Sequence, residues 1–319
     1  MSQTKLKTVF LGTPDFSVPT LDMLANSPMI DLKWAITMPD RPAGRGKQLQ
    51  SPAVAVYAKE NRVPLFQSEN INKEDEFLTK LETEKIDLIV VLAFAQFLGK
   101  RVLELPKTGC FNIHTSILPK YRGAAPIQYA ILNGDSSTGV SIQKMVKKMD
   151  AGDLVHFDRI DILPEETGGS LYTKLKYQAA LSCEQFLIAA QNQNLEFTPQ
   201  DESQVSFAPV LKKTDGLLDF ENQTQTEILN RVRALYPWPG TYCFLDKKRL
   251  KIIEAQPSEA QLNPGETKAH LGQMLVGCKQ GSLRLSKVQL EGKKITSDTD
   301  ILRGLKEQFS LSTQPKDRS

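Results

Sequence analysis

Asn112, His114 and Asp150 are the residues whose types and spacing best suit acyl-transfer chemistry. Residues 109–128 read GCFNIHTSILPKYRGAAPIQ, and the segment KMDAGD supplies Asp150, 36 residues after His114. Asn112 and His114 occupy alternate positions of a predicted short strand, so we expect their side chains to share one face. An amide donor, an imidazole and a carboxylate are together the groups needed to move an acyl group onto an amine.

Each of these residue types has its own task when an amine attacks a carbonyl group. Negative charge builds on the carbonyl oxygen, and a fixed donor such as the Asn112 amide stabilises it by roughly 3–4 kcal/mol. The nitrogen becomes positive and must lose a proton to a base that titrates near neutrality, which a histidine oriented by an aspartate provides. The alternative is structural: Asn112 and His114 satisfy backbone groups at a strand end, and Asp150 caps a turn.

Several ordered motifs resemble one known family. NIHTSILPKYRGAAPIQ followed by MDAGD is similar to the signature of the 10-formyltetrahydrofolate-dependent formyltransferases. Three further segments, VFLGTPDFSVPTL, MPDRPAGRGKQLQSPAV and RALYPWPGTY, resemble the members that formylate methionine on initiator transfer RNA. The resemblance extends from about Lys7 to about Arg303. It implies that Asn112, His114 and Asp150 are the catalytic trio.

The same resemblance implies a folate-binding surface. Its residues are expected to be Phe94, Ser116, Ile117, Leu118 and Pro119. The segment VVLAFAQFL departs from the family, because Phe94 and Ala95 stand where Tyr and Gly are more frequent. That departure affects the expected contacts with the pterin ring and leaves the trio intact.

The activity implied is transfer of the formyl group of 10-formyltetrahydrofolate to the free amine of methionyl-initiator tRNA, without a metal or redox cofactor. Three alternatives stay open. The first is a formyltransferase that acts on a small amine, such as a sugar nucleotide or glycinamide ribonucleotide. The second is a formyltetrahydrofolate hydrolase, and the third is a non-catalytic RNA-binding module.

Strands and helices alternate over the first part of the chain, which is typical of βαβ units and a parallel sheet. The predicted strands are Thr8–Leu11, Leu32–Thr37, Pro64–Phe66, Asp87–Leu92, Gly139–Met145 and Leu154–Ile162, and the predicted helices are Val18–Asn26, Ala53–Asn61, Lys73–Glu84 and Thr167–Gln191. The turn after the first strand lacks the glycine pattern of a dinucleotide site. Ligands of such sheets bind beyond the carboxyl ends of the strands, where Phe94, Asn112 and His114 are expected.

The second part of the chain is predicted to be a smaller β domain. A helix at Gln225–Leu235 is followed by short strands, predicted at Thr241–Leu245, Leu250–Glu254, Gln273–Gly277 and Leu283–Gln289. The family resemblance implies an OB-like barrel here, a fold that often binds oligonucleotides. We therefore predict an α/β fold in which a Rossmann-like catalytic domain, residues 1–194, is joined by a linker, residues 195–210, to an OB-like C-terminal tRNA-binding domain, residues 211–319.

Two local features of the second part are also predicted. The tail 310–319 is expected to be disordered. Trp238 is expected to pack at a core corner in preference to stacking on a base.

Positive charge is concentrated in the second part. Residues 1–204 carry 22 Lys+Arg and 24 Asp+Glu, whereas residues 205–319 carry 18 and 13. A basic domain suits a polyanionic partner. Two basic segments are predicted to contact tRNA: the loop residues Arg41, Arg45 and Lys47, and the cluster Lys247, Lys248, Arg249 and Lys251. An ordinary solvated loop and a solvated hairpin are the alternatives.

Cysteine and apolar patterning indicate the compartment. The four cysteines are far apart and show neither a paired framework nor zinc-ligand spacing, which favours reduced thiols. The longest nearly apolar run, Leu88 to Leu98, is too short to span a bilayer. We expect a cytoplasmic monomer with no membrane partner.

Overall fold

A computed structural model describes residues 4–43, 46, 48–305 and 309–315, so the predicted tRNA contacts Arg45 and Lys47 lie outside the described residues. The chain forms two compact units. The first unit comprises Met1–Pro126, Ser137–Asp161 and Tyr172–Ala208, and the second comprises Ile127–Ser136, Ile162–Leu171 and Pro209–Ser319.

The first unit is built on a seven-stranded sheet. The elements up to residue 208 are β1 (Leu6–Gly12), α1 (Val18–Asn26), β2 (Ile30–Thr37), β3 (Arg41–Ala43), β4 (Gln48–Gln50), α2 (Ala53–Glu60), β5 (Leu65–Gln67), α3 (Asp75–Glu84), β6 (Leu88–Leu92), α4 (Lys100–Glu104), β7 (Gly109–His114), β8 (Arg122–Gly123), α5 (Pro126–Leu132), β9 (Ser137–Lys144), β10 (Leu154–Asp161), α6 (Gly168–Gln191) and β11 (Phe207–Ala208). The main sheet has the order β10-β9-β7-β6-β1-β2-β5. Strands β5, β2, β1, β6 and β7 run parallel, whereas β9 and β10 are antiparallel additions at one side.

Burial explains why these segments form the sheet. Every residue of β6, Leu88–Leu92, is buried, which is the pattern of a parallel strand covered on both faces. Helix α3 contributes Phe77, Leu78 and Leu81 to a cluster that also contains the β6 residues Ile89 and Val91. Because β6 and β7 are parallel neighbours, their carboxyl ends meet at one edge, where β7 ends with His114.

The second unit is built around an antiparallel sheet. Its elements beyond residue 208 are α7 (Gln225–Ala234), β12 (Thr241–Leu245), β13 (Lys248–Ser258), β14 (Thr267–His270), β15 (Gln273–Gly277), β16 (Ser282–Leu290), β17 (Thr296–Ser297), α8 (Asp298–Gly304) and β18 (Leu311–Ser312). The strand order is β14-β15-β16-β13-β12-β18, with β17 paired to β16. Its core joins Ile228 and Val232 of α7 to inward residues of the strands. The predicted fold class, a Rossmann-like sheet followed by a smaller OB-like β domain, is confirmed.

The predicted helices and strands are confirmed, with ends that differ by a few residues. Two local predictions are wrong. In the tail 310–319, which was expected to be disordered, Leu311–Ser312 forms a short strand paired with the end of β12, and residues 316–319 lie outside the described residues. Trp238 is not buried in a core corner, since 53% of it is exposed. Flanking prolines restrict the backbone at this position, but they do not determine which way the indole faces.

Asp298 is a fully buried carboxylate at the start of α8 in the second unit. Arg284 donates to it from Nε at 2.7 Å and from Nη2 at 3.1 Å. The backbone N–H groups of Met274 and Thr299 donate to it as well. Burial alone would raise the pKa of Asp298, but these donors outweigh burial, so that its pKa lies below the usual range.

We expect Asp298→Asn to destabilise the second unit in a pH-dependent manner. Removing one partner of a buried ion pair costs about 3 kcal/mol near neutral pH. A carboxyl group with a lowered folded-state pKa contributes its stability above its unfolded pKa, near 3.8, and loses it as pH falls through the folded-state value. Thermal unfolding of the wild type and of Asp298→Asn between pH 7 and pH 2 should therefore show a difference in unfolding free energy, a stability gap that closes on acidification. A gap independent of pH would assign the loss to packing.

Candidate active site

Strand β7 presents the first two predicted catalytic residues, which confirms the short strand expected there. Asn112 lies opposite Gln143 of β9, and His114 lies opposite Ser141 of the same strand. Asn112 is paired on both sides, with Val91 of β6 and Gln143 of β9, whereas His114 is paired with β9 alone. The alternation of the strand places Asn112 and His114 on the same face, where Asp150 also lies.

Asp150 lies in the connection between β9 and β10, and its side chain is only 11% exposed. One carboxylate oxygen, Oδ2, accepts a hydrogen bond from the backbone N–H of Gly123 at 2.9 Å. The other, Oδ1, accepts from Nε2 of Gln143 at 3.1 Å and from Nδ2 of Asn112 at 3.4 Å. Three donors therefore compensate for the burial of this negative charge.

His114 is 6% exposed, and its ring is held by a hydrogen bond at one nitrogen, Nε2. Nε2 lies 2.9 Å from the carbonyl oxygen of Tyr121. A carbonyl oxygen only accepts, so Nε2 carries the proton in the neutral ring. The lone pair is then on Nδ1, which lies 3.8 Å from Oδ1 of Asp150. His114 is therefore arranged to accept a proton at Nδ1 while facing a carboxylate that stabilises the resulting imidazolium.

The structure thus brings together all three residues that the sequence singled out, and it adds two that sequence reasoning missed. Gln143 is one. It lies on β9 directly opposite Asn112 of β7, so a prediction that these two strands pair could have identified it. Gln200 is the other. It lies in the segment predicted to link the domains, yet its Nε2 donates to the backbone carbonyls of Asp150 at 2.9 Å and Gly152 at 2.7 Å.

A buried arginine anchors this group of residues. The side chain of Arg122 is 2% exposed and donates from Nε and Nη2 to Oε1 of Gln200. Nη2 also pairs with Glu202 at 2.8 Å, and Lys148 pairs with the second carboxylate oxygen of Glu202. The guanidinium of Arg122, together with Lys148, lowers the pKa of Glu202 to about 2. Glu202 consequently remains ionised, and the anchor stays charged, well below neutral pH.

The residues predicted to contact the folate differ in solvent exposure. Ser116 and Leu118 are buried: the Ser116 hydroxyl donates to the Lys120 carbonyl at 2.6 Å, and the Leu118 N–H donates to Ser141. Ile117 and Pro119 are partly exposed. Phe94, which follows β6, is also partly exposed and packs against the core of the first unit.

The predicted tRNA contacts that the structure describes lie on two hairpins. Arg41 belongs to the β3–β4 hairpin, where its guanidinium pairs with Glu69 at 2.6 Å. The second cluster lies on the β12–β13 hairpin, and all of its members are exposed: Lys247, Lys248, Arg249 and Lys251. Arg249 lies over the ring of Tyr242, 4.2 Å from its centroid.

Among the described residues, no helix is long and apolar enough to cross a membrane. Within the same part of the chain, no group of His, Cys, Asp and Glu side chains is arranged to hold a metal ion. The four cysteines, Cys110, Cys183, Cys243 and Cys278, are buried free thiols.

Two family models match the chain. Residues 6–183 match the formyl transferase family, and residues 210–306 match the formyl transferase C-terminal domain. The chain belongs to the formyl transferase family. Within that family, it is 40% identical over 301 residues to a methionyl-tRNA formyltransferase of Geobacter metallireducens, an alignment that covers 94% of this chain and 96% of the relative. A methionyl-tRNA formyltransferase of Natranaerobius thermophilus is 41% identical over 311 residues, with 94% and 97% covered.

Solved structures share the fold at lower identity. An N-formyltransferase from Helicobacter canadensis, in complex with folinic acid and dTDP-3-aminofucose, has a TM-score of 0.64 at 18% identity, covering 88% of this chain and 98% of that chain. HypX from Aquifex aeolicus, in complex with tetrahydrofolic acid, has a TM-score of 0.62 at 15% identity, covering 99% of this chain and 49% of that chain. At these identities the likeness establishes the fold.

Gly152 should be indispensable to the geometry of Asp150. A Cβ atom at this position would lie 1.7 Å from the carbonyl oxygen of Lys144, so Gly152→Ala must displace the turn. A displacement of about 1 Å costs roughly a hundredfold in rate, which is the loss of formyl-transfer turnover that we expect. Ala151→Gly serves as the neighbouring control. Near-normal turnover of Gly152→Ala in a folded protein would mean that the turn does not position the carboxylate.

Proposed function

We propose that this protein transfers the formyl group of 10-formyltetrahydrofolate to the free amine of methionyl-initiator tRNA, which gives N-formylmethionyl-tRNA for translation initiation. The observation that carries the proposal is the contact of Asn112 and His114 with one buried carboxylate, Asp150. Relatives that are about 40% identical over nearly the whole chain are methionyl-tRNA formyltransferases, which supports this acceptor.

Asn112 serves as the oxyanion donor. Its bond to Asp150 is long, 3.4 Å between Nδ2 and Oδ1, so the amide is only weakly engaged. A carboxamide nitrogen carries two hydrogens, which leaves a second N–H available for the formyl oxygen of the substrate. That bond strengthens as negative charge develops on the oxygen, and this difference lowers the barrier.

His114 serves as the general base. The attacking amine gains positive charge as it bonds to the formyl carbon, and Nδ1 of His114 accepts the proton that it must lose. Asp150 faces Nδ1 at 3.8 Å and stabilises the imidazolium that results. The carbonyl of Tyr121 keeps the ring oriented throughout, because Nε2 donates to it in both protonation states.

The folate is proposed to lie against the partly exposed side chains of Phe94, Ile117 and Pro119. These are flat or apolar surfaces suited to a pterin ring. Ser116 and Leu118 support this surface. Their side chains are buried, and their hydrogen bonds to Lys120 and Ser141 hold the loop after β7 in its conformation.

Transfer RNA is proposed to bind along both basic hairpins. On β12 and β13, the exposed cations Arg249 and Lys251 lie opposite the aromatic residues Phe244 and Tyr242 in the strand register. Cations beside aromatic rings suit a nucleic acid, because the cations pair with phosphates and the rings stack on bases. Lys247 and Lys248 extend the same surface, and Arg41, Arg45 and Lys47 form the second contact.

Catalysis is assigned to residues 1–194 and RNA binding mainly to residues 211–319, with residues 195–210 between them. The protein is proposed to act in the cytoplasm as a monomer. A formyltransferase for small amines, a hydrolase and a non-catalytic RNA-binding module are the competing functions.

One experiment separates these functions. The purified full chain is incubated with 10-formyltetrahydrofolate and methionyl-initiator tRNA, small amines or buffer alone. The proposal predicts N-formylmethionyl-tRNA as the main product. Preferred formylation of a small amine, release of formate with water as acceptor, or RNA binding without product would each establish a competing function.

Replacing any member of the trio by alanine should reduce turnover by about a hundredfold or more, because each contributes to the transition state. Double variants should lose much less than the product of the single losses, since the residues act as a unit. His156→Gln is the matched control, because His156 forms another pair with an aspartate, Asp158, at 2.9 Å. A trio variant with normal kinetics would remove that residue from the mechanism.

The ion pair of Arg41 with Glu69 allows a two-sided test of RNA binding. Arg41→Ala should raise the KM for charged tRNA and flatten the salt dependence of binding by about 0.7–0.9 in log–log slope. Glu69→Gln frees the guanidinium from its 2.6 Å partner and should lower that KM. Arg101→Ala, which removes another ion-paired arginine, is the control. Unchanged KM values in both variants would leave recognition to the β12–β13 hairpin.

A further inference from the structure

Gln143 is buried, with 2% of it exposed, and its amide is fully engaged on β9. Nε2 donates to Oδ1 of Asp150 at 3.1 Å, while Oε1 accepts from the N–H of Gly152 at 3.1 Å. These two contacts fix the orientation of the amide, because a carboxylate only accepts and a backbone N–H only donates. Gln143 thus spans the turn from the Asp150 side chain to the Gly152 backbone.

Gln200 holds the same turn from its backbone. Its Nε2 donates to the carbonyls of Asp150 and Gly152, and its Oε1 accepts from the buried guanidinium of Arg122 at 3.1 and 2.8 Å. The two glutamines also meet directly, with Nε2 of Gln200 3.3 Å from Oε1 of Gln143. A continuous chain of hydrogen bonds therefore runs from Arg122 to Asp150.

The turn needs this support because Asp150 has a strained backbone. Its φ angle is +49°, in the left-handed region that non-glycine residues rarely adopt. Such a conformation persists only where surrounding contacts impose it. The hydrogen bonds of Gln200 to the carbonyls of Asp150 and Gly152 are contacts of this kind.

We propose that Gln143 and Gln200 form a positioning clamp that holds the Asp150 carboxylate against Nδ1 of His114. The clamp rests on the proposed function, since it serves the same proton transfer. Gln143 aims the carboxylate, and Gln200 holds the backbone that carries it. The titratable and charged groups attached to this network are His114 on β7, Arg122 on β8, and the outer pair Lys148 and Glu202. Neither glutamine exchanges a proton with substrate.

Two substitutions of Gln143 separate positioning from packing. Gln143→Met keeps the length of the side chain and removes the donor that aims the carboxylate of Asp150. Because a carboxylate that is no longer held against Nδ1 stabilises the imidazolium less, the pKa of His114 should fall in Gln143→Met. Gln143→Glu places a second carboxyl group within hydrogen-bond distance of Asp150. Two carboxyl groups so close share one proton, so this variant keeps an O–H donor to Asp150 and should retain more turnover than Gln143→Met.

The test combines kinetics with histidine NMR on the full chain. The sequence has 3 histidines, so His156→Gln and His270→Gln backgrounds identify the His114 signal. We expect turnover to fall about tenfold in Gln143→Met and Gln200→Met, with both KM values unchanged, because a general base contributes about two orders of magnitude when fully positioned. Gln178→Met is the matched control, since Gln178 donates to another carboxylate, that of Asp158.

The outcomes distinguish the clamp from the function. An unmoved His114 pKa in Gln143→Met, with normal turnover in both methionine variants, would overturn the clamp and leave the proposed function intact. A wild-type protein that fails to formylate methionyl-tRNA would overturn the function, while the NMR shift would still test the clamp. If Gln143→Met does not fold, the turnover and the histidine NMR titration of Gln200→Met decide the question.

Discussion

The burial of one negative charge, the carboxylate of Asp150, is the constraint on which the site depends. A buried carboxylate is tolerated only where hydrogen bonds replace the water that it loses. The first unit supplies these donors from separate parts of the chain: the backbone of Gly123, Gln143 on β9 and Asn112 on β7. The order of the strands matters for chemistry because it places β7 beside β9, and so brings Asn112 and Gln143 to the same carboxylate.

The close packing around this charge also explains where glycine is required. Gly123 has a φ angle of +122°, and a Cβ atom there would lie 2.6 Å from the carbonyl oxygen of Ala208. Its N–H is the donor that reaches Oδ2 of Asp150, so the approach of β8 to β11 and the hydrogen bond to the carboxylate depend on the same residue. The glycine that follows the tyrosine and arginine in the sequence motif thus has a physical role in the site.

The sequence predicted the parts of the site that follow from local rules. The alternation of side chains along a strand places Asn112 and His114 on one face, and the alternation of strands with helices predicts a parallel sheet. Contacts between residues that are distant in the sequence could not be predicted. Gln200 contacts Asp150, which is 50 residues away in the sequence, and Arg41 pairs with Glu69, which is 28 residues away. Trp238 was predicted to pack in a core corner because two prolines flank it and it follows a helix, but these features do not decide whether the indole is buried, and it is exposed.

The tautomer of neutral His114 tests this account most directly. Nitrogen-15 NMR of the histidine side chains distinguishes a ring that carries its proton on Nε2 from one that carries it on Nδ1. The account predicts that the neutral ring is protonated at Nε2, which donates to the Tyr121 carbonyl, and that acidification adds the second proton at Nδ1. A neutral ring protonated at Nδ1 would contradict it, because the nitrogen that faces Asp150 would then have no lone pair with which to accept the proton of the amine.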